Sequence, residues 1–179
     1  MAGLTSAIHL TKKGCKVIII EKNSYPKHKV CGEYISNEVL PYFKWLNVDI
    51  EELKPTHIKS LQFSSESGRT IETKLPLGGF GISRYTLDHA LFLKALSQNC
   101  VIIEDQVNNV HFKDDLFKIQ LASGKTLTSK VVLGGFGKRS NLDVKMKRGF
   151  IEQTSPWLAV KSHYKGNFPD DVVGLHNFQ

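Results

Sequence analysis

The chain has 179 residues, 41% of them hydrophobic and 23% charged, with a formal net charge of +7. That length builds one domain or two small ones with a real core. No apolar run reaches the roughly 18 residues of a spanning helix, and the start, which lacks a basic segment and is interrupted by Lys12 and Lys13, does not read as a secretory leader.

Cys15, Cys31 and Cys100 are scattered, with neither a CxxC pair nor zinc-ligand spacing. Free thiols in a reducing cytoplasm and no metal site are expected. The densest basic patches are Lys27-His28-Lys29 and Lys145-Met146-Lys147-Arg148, without the interleaved aromatics of a base-stacking platform. The charge is therefore assigned to solubility and to phosphate-bearing ligands rather than to a nucleic-acid partner. Peripheral contact with a membrane surface stays open.

Residues 4–13 have helical spacing, with Leu4, Ala7, Ile8 and Leu10 on one side and Gly14 as a natural stop. Val17-Ile18-Ile19-Ile20 is the β-branched run of a buried parallel strand, ending at Glu21. A second helix is predicted over 36–46, capped by Ser36 or Asn37, with Pro41 in its first turn. Residues 58–64 and 69–75 read as a hairpin turned at 65–68, and Leu77–Gly81 as a loop. A third helix over 86–98 should bury Leu87, Leu91, Leu93 and Leu96. A short strand at 101–103 follows, then an antiparallel meander over 107–113, 116–122 and 126–133, and a last strand at 158–165. The string LGGFG occurs at 77–81 and 133–137, too short a match to make a repeat architecture.

Gly3, Ala7, Leu10, Gly14, Val17 and Glu21 are spaced as in a dinucleotide-binding unit. A small residue at Gly3 lets the helix pack tightly against its sheet, and the acid about 20 residues past such glycines accepts ribose hydroxyls. The first strand and first two glycines of that unit have no counterpart before Gly3, and these would supply amides to a pyrophosphate at the helix N-terminus.

These residues resemble the FAD-dependent oxidoreductases of the p-hydroxybenzoate hydroxylase fold, and most the geranylgeranyl-reductase-like branch. Three further landmarks carry the resemblance: Lys29-Val30-Cys31-Gly32-Glu33, the segment from Ile82 to Leu91 containing Arg84, Leu87 and Asp88, and Val132–Ser140. In the last of these Phe136 stands where the family usually has aspartate, and Lys138-Arg139 breaks the phosphate-loop pattern that ends in Gly-Lys-Ser/Thr. The family's late Gly-Asp motif has no counterpart, so a truncated flavoprotein is expected.

The resemblance implies an α/β fold: an incomplete Rossmann-like FAD-binding domain (1–54 and 85–145) with an antiparallel β-meander, and part of a β-sheet substrate domain (55–84 and 146–179). It implies FAD as cofactor and NAD(P)H as a candidate electron donor. The substrate would be a hydrophobic small molecule, reduced or hydroxylated. Glu21 would bind the adenosine ribose, Lys22 would sit near the adenine or phosphate, and Gly3 would belong to the cofactor site as the last glycine of its motif. Arg84 would meet the ribityl-pyrophosphate, since a guanidinium matches phosphate as a planar fork. Val107 would offer backbone groups to adenine, and Cys31 and Gly32 would approach the isoalloxazine or the pyrophosphate. No catalytic residue is assigned, because in such proteins the flavin carries the redox chemistry. The competing expectations are a non-catalytic nucleotide-binding module and an inert fragment.

Overall fold

In a computed structural model of the chain, residues 1–137, 140–152 and 156–177 are described. The chain divides into two units, Met1–Lys27 with Asp88–Ala159, and His28–Leu87 with Val160–Gln179. Residues 28–54 therefore lie with the second unit and 146–159 with the first, unlike the boundaries drawn from the sequence.

The first unit starts with α1 (Ala2–Lys12), which buries Leu4, Ala7 and Ile8, one turn apart on a single face. Gly14 ends it at φ +83, with its amide on the Thr11 carbonyl (2.9 Å) and that of Cys15 on the Leu10 carbonyl (3.0 Å). This pair of bonds is the Schellman closure that a glycine in the left-handed region allows. β1 (Ile18–Glu21) follows and pairs in parallel with β5 (Val101–Glu104), Ile18 opposite Val101 and Glu21 opposite Glu104. Parallel neighbours need a crossover, and the last part of it is α3 (Arg84–Ser97).

β1 is not the buried strand its composition suggests: Ile18 is 48% exposed, because the sheet has two strands only. Along α3, Leu87, Leu91 and Ala95 are fully buried at a spacing of four, whereas Leu93 and Leu96 are 50% and 43% exposed. Both lie off the buried stripe, which corrects the expected set.

The meander forms as β6 (Val107–Lys113), β7 (Leu116–Leu121) and β8 (Thr126–Ser129), all antiparallel, with Ile119 and Leu121 buried. It stops at Ser129. Val131 and Leu133, expected to extend it, have no strand partner and are exposed. Ser140 then caps α4 (Asn141–Lys145), accepting from the Leu142 amide at 3.2 Å.

The second unit holds a four-stranded sheet in the order β2-β4-β3-β9, built from β2 (Tyr34–Ser36), β3 (Thr56–Ser64), β4 (Thr70–Gly81) and β9 (Val172–His176). Ser36 caps the turn before α2 (Leu40–Trp45), so the expected helix over 36–46 is a 3₁₀ turn followed by a short α-helix. The expected loop at 77–81 is instead the end of β4, paired with β2 from Ser36–Gly79 to Tyr34–Gly81. The glycines make this pairing feasible, because a Cβ on Gly79 would collide with the Tyr34 ring. The Tyr34 hydroxyl donates to the Gly78 carbonyl (3.3 Å) and the Asn37 amide to that of Leu77 (3.0 Å). The expected strand at 158–165 does not form. The last strand is β9, parallel to β3 from Ser60–Val172 to Ser64–His176. Among the described residues, Phe43, Leu46, Val48, Ile50, Ile58, Phe80, Ile82 and Leu87 are the buried apolar residues of this unit.

Candidate functional site

In the first unit the carboxyl ends of β1 and β5 lie side by side, the position where open parallel sheets take ligands. Glu21 ends β1, and the chain leaving β5 bonds back to it, the Asp105 amide on the Glu21 carbonyl at 3.1 Å. Val107, two residues further on, opens β6 opposite Leu121.

The Glu21 carboxylate is 22% exposed and is gripped by the loop that follows it. Lys27 Nζ lies 2.6 Å from Oε1, the Asn23 amide donates to the same oxygen at 3.2 Å, and the Tyr25 hydroxyl donates to Oε2 at 3.3 Å. Tyr25 in turn stacks on Phe92 of α3, ring centroids 4.9 Å apart, and Lys27 Nζ stands 5.1 Å from the Tyr25 centroid. Lys22 points into solvent.

Gly3 lies in the first turn of α1, backed by the loop after the meander. A Cβ on Gly135 would stand 3.0 Å from the Gly3 nitrogen and Cα, so a side chain there would require the two backbones to move apart. Phe136, in the aspartate position of the family loop, folds its ring over Gly134, where a Cβ would stand 2.9 Å from Cε1. Lys138 and Arg139 of this landmark lie outside the described residues. The basic cluster at 145–148 is engaged within the unit: Lys145 donates to the Asn108 carbonyl (2.6 Å) and Arg148 pairs with Asp143 (3.2 Å).

The other predicted residues, Cys31, Gly32 and Arg84, belong to the second unit and gather around a residue not chosen from the sequence, Glu33. Its backbone is left-handed, φ +59, a conformation uncommon outside glycine, asparagine and aspartate. Its amide donates to Cys31 Sγ (3.4 Å) and its carbonyl accepts from Ile82 (3.0 Å). The carboxylate accepts from the backbone amide of Arg84 (2.7 Å) and from Lys161 Nζ (2.5 Å), with His163 Nε2 at 3.5 Å from its other oxygen. Burial alone would raise the Glu33 carboxyl. The Lys161 bond and charge, the Arg84 amide and His163 outweigh it and hold the group below its ordinary 4.5.

His28 stacks on Tyr85 at 4.7 Å and meets His163 edge-on at 6.2 Å. Gly32, Glu33, Tyr34, Ser83 and Gly174 border an open cleft of about 390 Å³. The sequence signal for Glu33 was its place in the Cys-Gly-Glu landmark. No local signal marks Lys161, 128 residues away.

No family model matches the chain, and no curated protein does. Solved structures do. The halogenase PltM, in complex with phloroglucinol and FAD, superposes with a TM-score of 0.66 at 16% identity, over 81% of this chain and 34% of that one. A flavoprotein/dehydrogenase from Cytophaga hutchinsonii gives 0.59 at 18%, over 72% and 34%. FqzB gives 0.59 at 19%, over 70% and 31%. The fold is similar to that of part of these structures. The chain spans about a third of the length of these structures. Among its described residues, no helix is long and apolar enough to cross a membrane.

Proposed function

We propose that the chain binds the adenosine half of FAD, as part of a flavin-dependent oxidoreductase acting on a hydrophobic small molecule. The observation that carries this reading is Glu21: a carboxylate at the carboxyl end of a parallel strand, following a glycine-stopped helix whose first turn is open to close backbone approach at Gly3. A carboxylate there suits the vicinal hydroxyls of a ribose, because it presents two acceptor oxygens and no donor.

In this reading Glu21 accepts the ribose hydroxyls, Gly3 lets the first turn of α1 pack closely on the loop at Gly135, and Val107 offers backbone groups to adenine. Lys22 adds charge at the rim. For Arg84, Cys31 and Gly32, in the second unit, a role toward the cofactor rests on the sequence resemblance alone, a guanidinium fork being suited to phosphate oxygens. Bound FAD would supply hydride or electron transfer, and the chain would hold and orient it. The reductase or hydroxylase outcome, the geranylgeranyl-reductase-like branch and NAD(P)H as donor rest on the sequence resemblance.

The test is a titration of the purified chain with FAD and with ADP, followed by flavin fluorescence and calorimetry. Binding of both, weakened by Glu21→Gln, is expected. A folded chain that binds neither overturns the reading. One that binds ADP but leaves flavin absorbance and fluorescence unchanged is a nucleotide-binding module without flavin chemistry.

A further inference from the structure

The acceptor that the proposed ribose site depends on is already engaged. Both Glu21 oxygens are held by its own loop: Oε1 by Lys27 Nζ at 2.6 Å and the Asn23 amide at 3.2 Å, Oε2 by the Tyr25 hydroxyl at 3.3 Å. A ribose diol bound in bidentate fashion needs a lone pair on each oxygen, and the Lys27 bond is the short, charge-assisted one.

The three donors differ in how firmly they are fixed. The Asn23 amide is backbone, two residues from Glu21. Tyr25 is anchored by its stack on Phe92. Lys27 reaches Glu21 at the end of a flexible four-carbon stem, whose ammonium rotates and rehydrates readily.

We infer that Lys27 is a displaceable occupant of the ribose subsite, a specificity-determining residue that an adenosine diol must move off Glu21. This rests on the proposed role of Glu21. The competition makes the site selective for ligands whose ribose hydroxyls both engage the carboxylate, because a ligand making one weak bond does not offset the lost ion pair.

Two measurements test it. In the first, Lys27→Met keeps the stem and removes the charge; ADP is titrated calorimetrically into wild type, Lys27→Met and Glu21→Gln, each checked for folding by circular dichroism. Lys27→Met should bind about three- to fivefold tighter, the range set by an ion pair of modest worth, and Glu21→Gln weaker. Unchanged or weaker binding by folded Lys27→Met overturns the inference while leaving Glu21 in place. Unchanged binding by Glu21→Gln overturns the ribose reading itself.

The second measurement uses wild type alone, so it stands if Lys27→Met does not fold. Uncharged adenosine is titrated by NMR as salt rises from about 0.02 M to about 0.5 M, which shortens the screening length severalfold. Adenosine should bind tighter at high salt and 2′-deoxyadenosine should show no gain. Equal salt response of the two overturns the role of Lys27, and absence of adenosine binding overturns the ribose reading and the inference with it.

Discussion

Glu21 and Glu33 are each paired with a lysine, to the same depth: side-chain exposures are 22% and 18% for Glu21 and Lys27, 16% and 17% for Glu33 and Lys161. They differ in how the partner arrives. Lys27 comes from six residues along the same loop, together with Tyr25 and Asn23. Lys161 comes from 128 residues away, on a stretch without regular secondary structure. A local pair closes a short loop at small entropic cost and can open without disturbing the strands it follows. A distant pair ties two segments together, so it belongs to the fold of its unit. The first arrangement suits a site that opens for a ligand, and the second suits a scaffold.

The largest expected break in this contrast is at Glu33. Glu33→Ala leaves Lys161 and the Arg84 amide without their acceptor in a mostly buried setting, and should cost about 3 kcal/mol. Glu21→Ala should cost clearly less, because its donors lie on one loop that can turn to water. Urea denaturation of both variants measures the difference; equal losses would erase the distinction between scaffold and site. Glu33→Gly refines the result: it relieves the left-handed backbone at φ +59 but still loses the carboxylate, so it should recover part of the loss and not all of it.

The local segment is the more legible one, although Lys27 reads in sequence only as part of a basic patch and not as a partner of Glu21. Gly3, Gly14 and Glu21 could be placed from spacing because helix, turn and strand follow one another within about one βαβ half-unit. The meander was legible because its tight turns, Asp114-Asp115 and Ser123-Gly124, sit between alternating segments. What escaped the sequence was long-range. β9 was missed because Val172–His176 becomes a strand by pairing with β3, over a hundred residues earlier. The 158–165 segment has strand-like composition but no partner. Leu77–Gly81 reads as a loop by its glycines, and is a strand paired with β2, where the Tyr34 ring occupies the space a side chain on Gly79 would fill. Ile18 and Leu93 show the opposite failure: apolar composition predicts burial, and sheet width and helix phase decide it.

Gly79→Ala sharpens the comparison from the scaffold side. The added Cβ would collide with the Tyr34 ring, on the strand that follows Glu33 directly. Displacing the ring should cost about 2 kcal/mol, read as a fall in urea midpoint. Nucleotide binding at Glu21, in the other unit, should be unaffected. A loss of ADP binding in a folded Gly79→Ala protein would mean that the two regions do not act independently.

The paired lysines give a smaller contrast. Lys161→Met should cost about 2 kcal/mol, since it leaves a largely buried carboxylate short of its cation, and Lys27→Met about half that, because the loop carrying Glu21 can open and return the carboxylate to water. Hydrogen exchange adds a readout specific to position: Lys161→Met should speed exchange at the Arg84 and Ile82 amides, which bond to Glu33.

The smallest effect is the dependence on pH, and its sign follows from Glu33. The folded carboxyl titrates below its ordinary 4.5, so the folded state favours the ionised form more than the unfolded chain does. The stabilisation this group adds is complete above that ordinary value and is lost as pH falls through the folded one. Glu33→Gln cannot ionise and is blind to this window. The stability difference between wild type and Glu33→Gln should shrink as pH falls from about 5 to about 3. Carboxylates common to both proteins that do not face Glu33 cancel in the difference. A difference that stays flat to about pH 3 would mean that Glu33 gains nothing from being ionised, and that Lys161 and the Arg84 amide hold it by shape alone.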